Sequence, residues 1–176
     1  MKDQSPPAEC TFYEVQWFRQ IWIWMVVIFI AALAWYSFIQ QIVFGEAFGN
    51  NPAPDWMVYL LLAVFGIIFP AWFLVMKLQI AVDDRKLSFR MFPLHPRWKV
   101  VAGGDLESAM AVVYKPFREF GGWGIRYGKQ GIAYTVSGNR GVLVRLASGR
   151  TFLLGSERSL ELEIALRNLI EARKRK

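Results

Sequence analysis

One cysteine, Cys10, and one histidine, His95, are all that 176 residues hold of either type. A single thiol cannot close an internal disulfide, so the fold is expected to need none. Zinc sites draw on several His or Cys ligands, which this chain cannot supply; no metal and no other cofactor is expected. His95 sits between Pro93 and Pro96 with no nucleophile motif around it, which argues against Ser-His-Asp chemistry. Asp83, Asp84 and Asp105 fall in turn sequences, where carboxylates more often cap backbone amides than act as bases. No catalytic constellation emerges, and the chain is not expected to be an enzyme.

Charge is the next absence. Ile21–Phe44 and Trp56–Met76 contain no Asp, Glu, Lys or Arg. Crossing about 30 Å of hydrocarbon at about 1.5 Å per residue takes about 20 apolar residues, and both runs meet that length. A small soluble domain has too little interior to surround two such helices, so membrane spans are expected rather than core helices. The first run is too long for the apolar part of a cleaved leader, no basic segment directly precedes it, and no small-x-small site follows. Cys10 lacks the preceding apolar stretch of a lipoprotein signal. Ser37, Gln40 and Gln41 are the strongly polar side chains of the first run, the glutamines near its end. Pro70 lies inside the second, where a kink is expected rather than a break.

The connector Gly45–Asp55 has neither Lys nor Arg, and its turn formers make it too short to fold alone. Lys2 and Arg19 precede the first run, while Lys77, Arg85, Lys86 and Arg90 follow the second. Basic flanks remain on the cytoplasmic side, so both termini are expected inside and the connector outside, as in a multi-pass protein of the inner cell membrane. Aromatic placement agrees: Trp17, Trp22, Trp24 and Trp72 would share one interface, and Trp35, Tyr36, Trp56 and Tyr59 the other.

What is abundant lies after Met76. Of 21 Lys and Arg residues all but Lys2 and Arg19 follow it, whereas five of the 14 acids precede it. The region after Met76 thus carries 19 basic and nine acidic residues, a net +10, and the part before it a net −3. Short strand-like runs separated by turns fill this region: Lys77–Val82, Leu87–Phe92, Trp98–Ala102, Leu106–Tyr114, Gly131–Val136, Val142–Leu146 and Thr151–Leu154. A helix closes the chain, with Ser156 as N-cap and Leu162, Ala165, Leu166, Leu169 and Ile170 on one stripe. Its acids lie early and its bases late, matching the helix dipole.

The expected fold is therefore α+β. An N-terminal cytoplasmic segment (residues 1–20) precedes a two-helix transmembrane hairpin (21–76, helices at about 21–44 and 56–76). A cytoplasmic domain (77–176) follows, built as a small antiparallel β barrel or sandwich capped by a C-terminal amphipathic helix.

Phe120-Gly-Gly-Trp-Gly124 invites a phosphate-loop reading, but neither G-x-x-x-x-G-K-[ST] nor G-x-G-x-x-G spacing is present, and a strand follows rather than a helix. A bulge or tight turn needing positive φ is expected instead, with Trp123 packed against the β domain or the membrane. Lys115, Arg118, Arg126, Arg140 and Arg145 cluster in sequence around these loops. They read either as a solvated surface obeying the positive-inside bias, or as a site for an anionic ligand or anionic lipid. Arg118, Arg126 and Arg140 have structural alternatives too: pairing with Glu119, or bracing the glycine-rich turn through backbone carbonyls. Basic charge alone admits nucleic acid, but membrane tethering and the lack of a recognition motif argue against it.

Phe117-Arg-Glu-Phe-Gly-Gly-Trp-Gly-Ile-Arg126, Tyr134-Thr-Val-Ser-Gly-Asn-Arg-Gly141 and Leu154-Gly-Ser156, in this order of elements, resemble an uncharacterised group of bacterial and archaeal membrane proteins. In that group two transmembrane helices are followed by a bacterial pleckstrin-homology-like domain, and the resemblance covers roughly Tyr13 to Ile170. It implies a pleckstrin-homology-like fold and no established activity. Two functional classes follow as expectations. The chain is a non-enzymatic interaction module that docks a protein partner or self-associates at the inner membrane face, or its β domain binds an anionic lipid or ligand.

A reporter active only in the cytoplasm is expected to work when fused before Met1 or after Lys176 and to fail within Gly49-Asn50-Asn51. Activity from the loop fusion overturns the orientation.

Overall fold

The structure, a computed structural model, describes residues 10–46, 49, 51–128 and 131–174. Lys2, Asn50, Arg175 and Lys176, which bear on the charge and loop readings, lie outside the described residues. The chain forms two compact units: Phe18–Met76, and the segment up to Trp17 together with everything from Lys77 onward.

The first unit is a pair of helices, α1 (Ile21–Val43) and α2 (Asp55–Val75), both long and apolar enough to cross a membrane. Their bounds fall within a residue of those expected. Each contains a π-helical stretch, Ile39–Val43 and Leu62–Ile68. The second stretch runs up to Phe69-Pro70. Pro70 has no N–H to return to the carbonyl of Gly66 four residues earlier, and Trp35 Nε1 of α1 points at that oxygen from 3.4 Å. Close approach is possible because residue 66 is glycine; a Cβ there would lie 3.2 Å from Trp35 Nε1. At the far end Gln41 Nε2 donates to Ala53 O at 2.6 Å and to Asp55 Oδ1 at 2.9 Å, fastening the connector.

The second unit holds two sheets. Strands β1 (Phe12–Trp17), β2 (Lys77–Val82), β3 (Lys86–Phe92) and β4 (His95–Ala102) form an antiparallel meander in that order. A 3₁₀ turn, Gly103–Asp105, leads into the second sheet, whose order is β5-β8-β9-β7-β6. Its strands are β5 (Leu106–Val113), β6 (Gly124–Gly128), β7 (Gly131–Thr135), β8 (Arg140–Leu146) and β9 (Thr151–Gly155). All pairings are antiparallel except β7 with β9, which is parallel. Two helices complete the unit: the five-residue α3 (Pro116–Phe120) and the closing 16-residue α4 (Ser159–Lys174).

Of the barrel or sandwich expected, this topology gives two sheets, one of them mixed. The strands divide between two hydrogen-bonded sheets that pack face to face, and the barrel is not closed. Strand periodicity explains the packing. Leu78, Ile80, Val82, Leu87, Phe89 and Met91 alternate onto one face of the first sheet and are all buried. Phe89 meets Phe152 of β9 in a stack at 5.4 Å and Tyr134 of β7 edge-on at 4.9 Å. Burying one such side chain contributes about 1.5–3 kcal/mol. The expected stripe of α4, Leu162, Ala165, Leu166, Leu169 and Ile170, is buried throughout.

One strand, β1, had no counterpart in the sequence reading. β1 lies in the segment before the hairpin and pairs along its whole length with β2, from Phe12 opposite Val82 to Trp17 opposite Lys77. Its inward residues are Phe12, Glu14 and Gln16, all buried. Glu14 is 8% exposed, so its carboxylate has given up water and must be satisfied by protein. Ser156 Oγ donates to Glu14 Oε2 at 2.5 Å and the Glu157 N–H donates to Oε1 at 2.9 Å. Gln16 Nε2 donates to Gly155 O at 2.8 Å. β1 is thereby fixed to the turn that opens α4, and Ser156 serves that turn by accepting the Arg158 N–H at 3.1 Å.

Replacing Glu14 with Ala strands the Ser156 hydroxyl and the Glu157 amide, and is expected to cost about 1–3 kcal/mol, read as a lowered thermal midpoint. A soluble fragment beginning at Lys77 lacks β1; joining residues 10–17 to it through a short linker is expected to raise its midpoint. An unchanged midpoint in either comparison contradicts the role given to β1.

Candidate functional site

The sequence-distinctive stretch, residues 114–128, is built around α3. Pro116 opens this helix, where its missing N–H costs nothing. Glu119 Oε1 accepts the Lys115 N–H at 2.9 Å. Gly121 closes the helix in the left-handed region at φ +70°, which a side chain would strain. Gly122 and Gly124 also have positive φ, +122° and +111°. The glycine-rich stretch is thus a backbone device, as expected, that turns the chain from α3 into β6. Between the two glycines Trp123 donates from Nε1 to Gly138 O at 2.8 Å and packs edge-on against Phe117 at 5.0 Å. Its ring therefore packs within the β domain.

Beneath this loop lies a second, smaller core on the outer face of the second sheet: Tyr114, Phe120, Ala133 and Leu153, flanked by Val112 and Leu143. Phe120 lies over Gly128, where a Cβ would come within 2.6 Å of its ring. The Tyr114 phenol is pushed up to about 12, chiefly by burial and slightly by Glu119, with the Thr135 hydroxyl pulling the other way.

The five basic residues divide. Lys115 precedes α3, Arg118 projects from it, Arg126 lies on β6 and Arg140 opens β8; all four are exposed. The stretch from Tyr114 to Trp123 is tied to the turn before Arg140 by Trp123 on Gly138 and by the Tyr114 N–H on Asn139 O at 2.8 Å, while Arg126 lies three strands from Arg140 in the sheet order. Arg126 Nε donates to Trp123 O at 3.2 Å, so it braces the glycine-rich turn as well as presenting charge. Arg145 stands apart, five residues along β8 from Arg140 and about 16 Å away at strand rise. Its Nε pairs with Glu107 Oε2 at 3.1 Å. Each of the other four exposed side chains offers forked or single cationic donors open to water.

His95 lies at the start of β4, its Nδ1 3.1 Å from Arg97 O. Among the described residues no three His, Cys, Asp or Glu side chains gather in a metal-holding group. The sequence reading missed a buried polar row on the first sheet: Arg90 Nε donates to Gln79 Oε1 at 2.7 Å, Gln79 Nε2 to Tyr13 OH at 3.0 Å, and the Arg90 guanidinium lies 4.6 Å over Trp98. Alternation within β2 and β3 was the available signal, since it places Gln79 and Arg90 on the face opposite Leu78 and Met91.

The Tyr114 phenol gives a pH test. Its proton is held to about 12 in the folded chain against 10.0 ordinarily. The unfolded chain therefore gives up that proton first, so stability is intact below the lower value and falls as pH rises toward the higher one. Tyr114→Phe is expected to flatten that fall, measured as unfolding midpoints across the alkaline range; an equally steep loss in the variant contradicts it.

No curated protein and no solved structure matches this chain. A match to a family described as a family of unknown function, DUF6141, extends over residues 4–172, nearly the whole length, and the chain belongs to that family.

Proposed function

We propose that this is an integral membrane protein of the inner membrane, both termini cytoplasmic, whose β domain is a non-enzymatic interaction module of pleckstrin-homology-like design. The order of elements supports that design. A four-stranded meander is followed by a second antiparallel run, β5-β8-β9, and then by α4, with α3, β6 and β7 spliced between β5 and β8. One observation carries the functional reading: the apolar hairpin occupies the place of the β1–β2 turn. Trp17 and Lys77 face each other in register, and the chain continues from Trp17 through Phe18 to α1 and reaches Lys77 from α2 through Met76. A domain joined to two spans by both chain connections is kept near the bilayer, which suits a docking module.

A protein partner or a second copy is the occupant this reading favours, because large apolar side chains remain exposed on the domain, among them Leu160 and Ile164 one turn apart on α4. A photo-crosslinker at position 164 in native membranes is expected to give discrete adducts, with yields indifferent to anionic lipid content. Adducts no stronger than from position 148, on the exposed β8–β9 turn, overturn it. The second reading, anionic lipid or ligand, is favoured by the exposure of Lys115, Arg118, Arg126 and Arg140; there, binding falls with salt and with removal of anionic lipid.

A further inference from the structure

The register of the first sheet identifies the end of the β domain from which both connections to the apolar helices leave. Trp17 lies opposite Lys77, Lys77 opposite Phe92, and Met91 opposite His95, so the β3–β4 turn shares that end. The opposite end is marked by Arg85, whose carbonyl accepts the Gly103 N–H at 2.8 Å just before β5 begins. The second sheet therefore starts with β5 at the Arg85 end. From there its order is β5-β8-β9-β7-β6. Halfway along the first sheet Phe89 meets both Phe152 of β9 and Tyr134 of β7, and nearer the Trp17 end Gln16 reaches Gly155. The strands of the second sheet thus follow one another along the length of the first, about 4.8 Å apart, and the free edge β6 comes last, about 19 Å from β5, at the end that carries the two connections.

We propose that β6 and the β3–β4 turn form one surface that rests on the headgroup layer of the bilayer. This builds on the membrane-anchored reading and adds which face of the β domain meets lipid. The side chains suit that occupant. Tyr127 on β6 is 81% exposed, the highest value among the large hydrophobic side chains of the described residues, and Leu94 in the turn is 49% exposed. A phenol is at home where one end of a ring is apolar and the other wet. Exposed Arg126 adjoins Tyr127 and exposed Arg97 lies three residues after Leu94, where cations meet lipid phosphate. Burial of Tyr127 and Leu94 in the interface also accounts for an apolar pair left on an otherwise charged region. The neighbouring edge is blunted at the same stroke, since an uncovered edge strand invites pairing with another chain.

The test uses the full chain carrying Cys10→Ser and one new cysteine: Tyr127→Cys, Leu94→Cys, or Met110→Cys on the opposite edge strand β5. Each is labelled with an environment-sensitive fluorophore and reconstituted into vesicles containing headgroup-nitroxide lipid. Emission is expected to be quenched at 127 and 94 and largely retained at 110. Equal quenching at all three positions, or the greatest loss at 110, overturns the proposal. So does a label at 127 that remains bright while β6 crosslinks to a second copy. Failure of the chain to float with the vesicles defeats the membrane-anchored reading itself, a result distinguishable from failure of the surface.

Discussion

Everything in the β domain depends on β1 finding β2 across the two apolar helices that separate them in sequence. A strand of six residues is too short to persist alone, and the pairing closes a loop that includes both helices. The Glu14 carboxylate makes the arrangement specific. Buried and polar, it is acceptable only where Ser156 and the Glu157 amide meet it, so a slipped β1 would leave buried acceptors without partners. Gln16 on Gly155 repeats the constraint one inward position further along. Residues near the two ends of the chain thus hold each other in place, while the helices leave from the gap between β1 and β2.

The insertion between β5 and β8 obeys a different constraint. Gly121, Gly122 and Gly124, all at positive φ, let a five-residue helix turn straight into an edge strand, and Trp123 anchors the turn to the Gly138 carbonyl. Arg126 is drawn into the same bracing through the Trp123 carbonyl. Lys115, Arg118 and Arg140 stand exposed around this turn, where Glu119 accepts the Lys115 N–H and the Asn139 carbonyl accepts the Tyr114 N–H. Arg145 has its own carboxylate and belongs to a different part of the surface.

Period and composition carried the local elements. Two charge-free runs of span length fix α1 and α2, because length and the absence of charge are properties of the segment itself. The turn at Asp83-Asp84-Arg85-Lys86 was readable too, and Asp83 Oδ1 does accept the Arg85 and Lys86 amides. The apolar stripe of α4 was legible because it repeats at helical spacing. β1 was hidden for a physical reason: its inward positions hold Glu14 and Gln16, so the alternation that marks a half-buried strand is inverted. Its polar side chains make sense only beside Gly155 and Ser156, 139 and 142 residues away.

The sequence by itself determined the two apolar helices, most strands, the closing helix, the need for positive φ around Trp123 and the concentration of basic charge after Met76. Each follows from the chemistry of a short window. Tertiary structure alone decided that the segment before the hairpin completes a sheet, that the strands divide between two sheets, and that Arg145 pairs with Glu107. Those outcomes turn on hydrogen bonds and register between residues far apart in the chain, which no local period encodes.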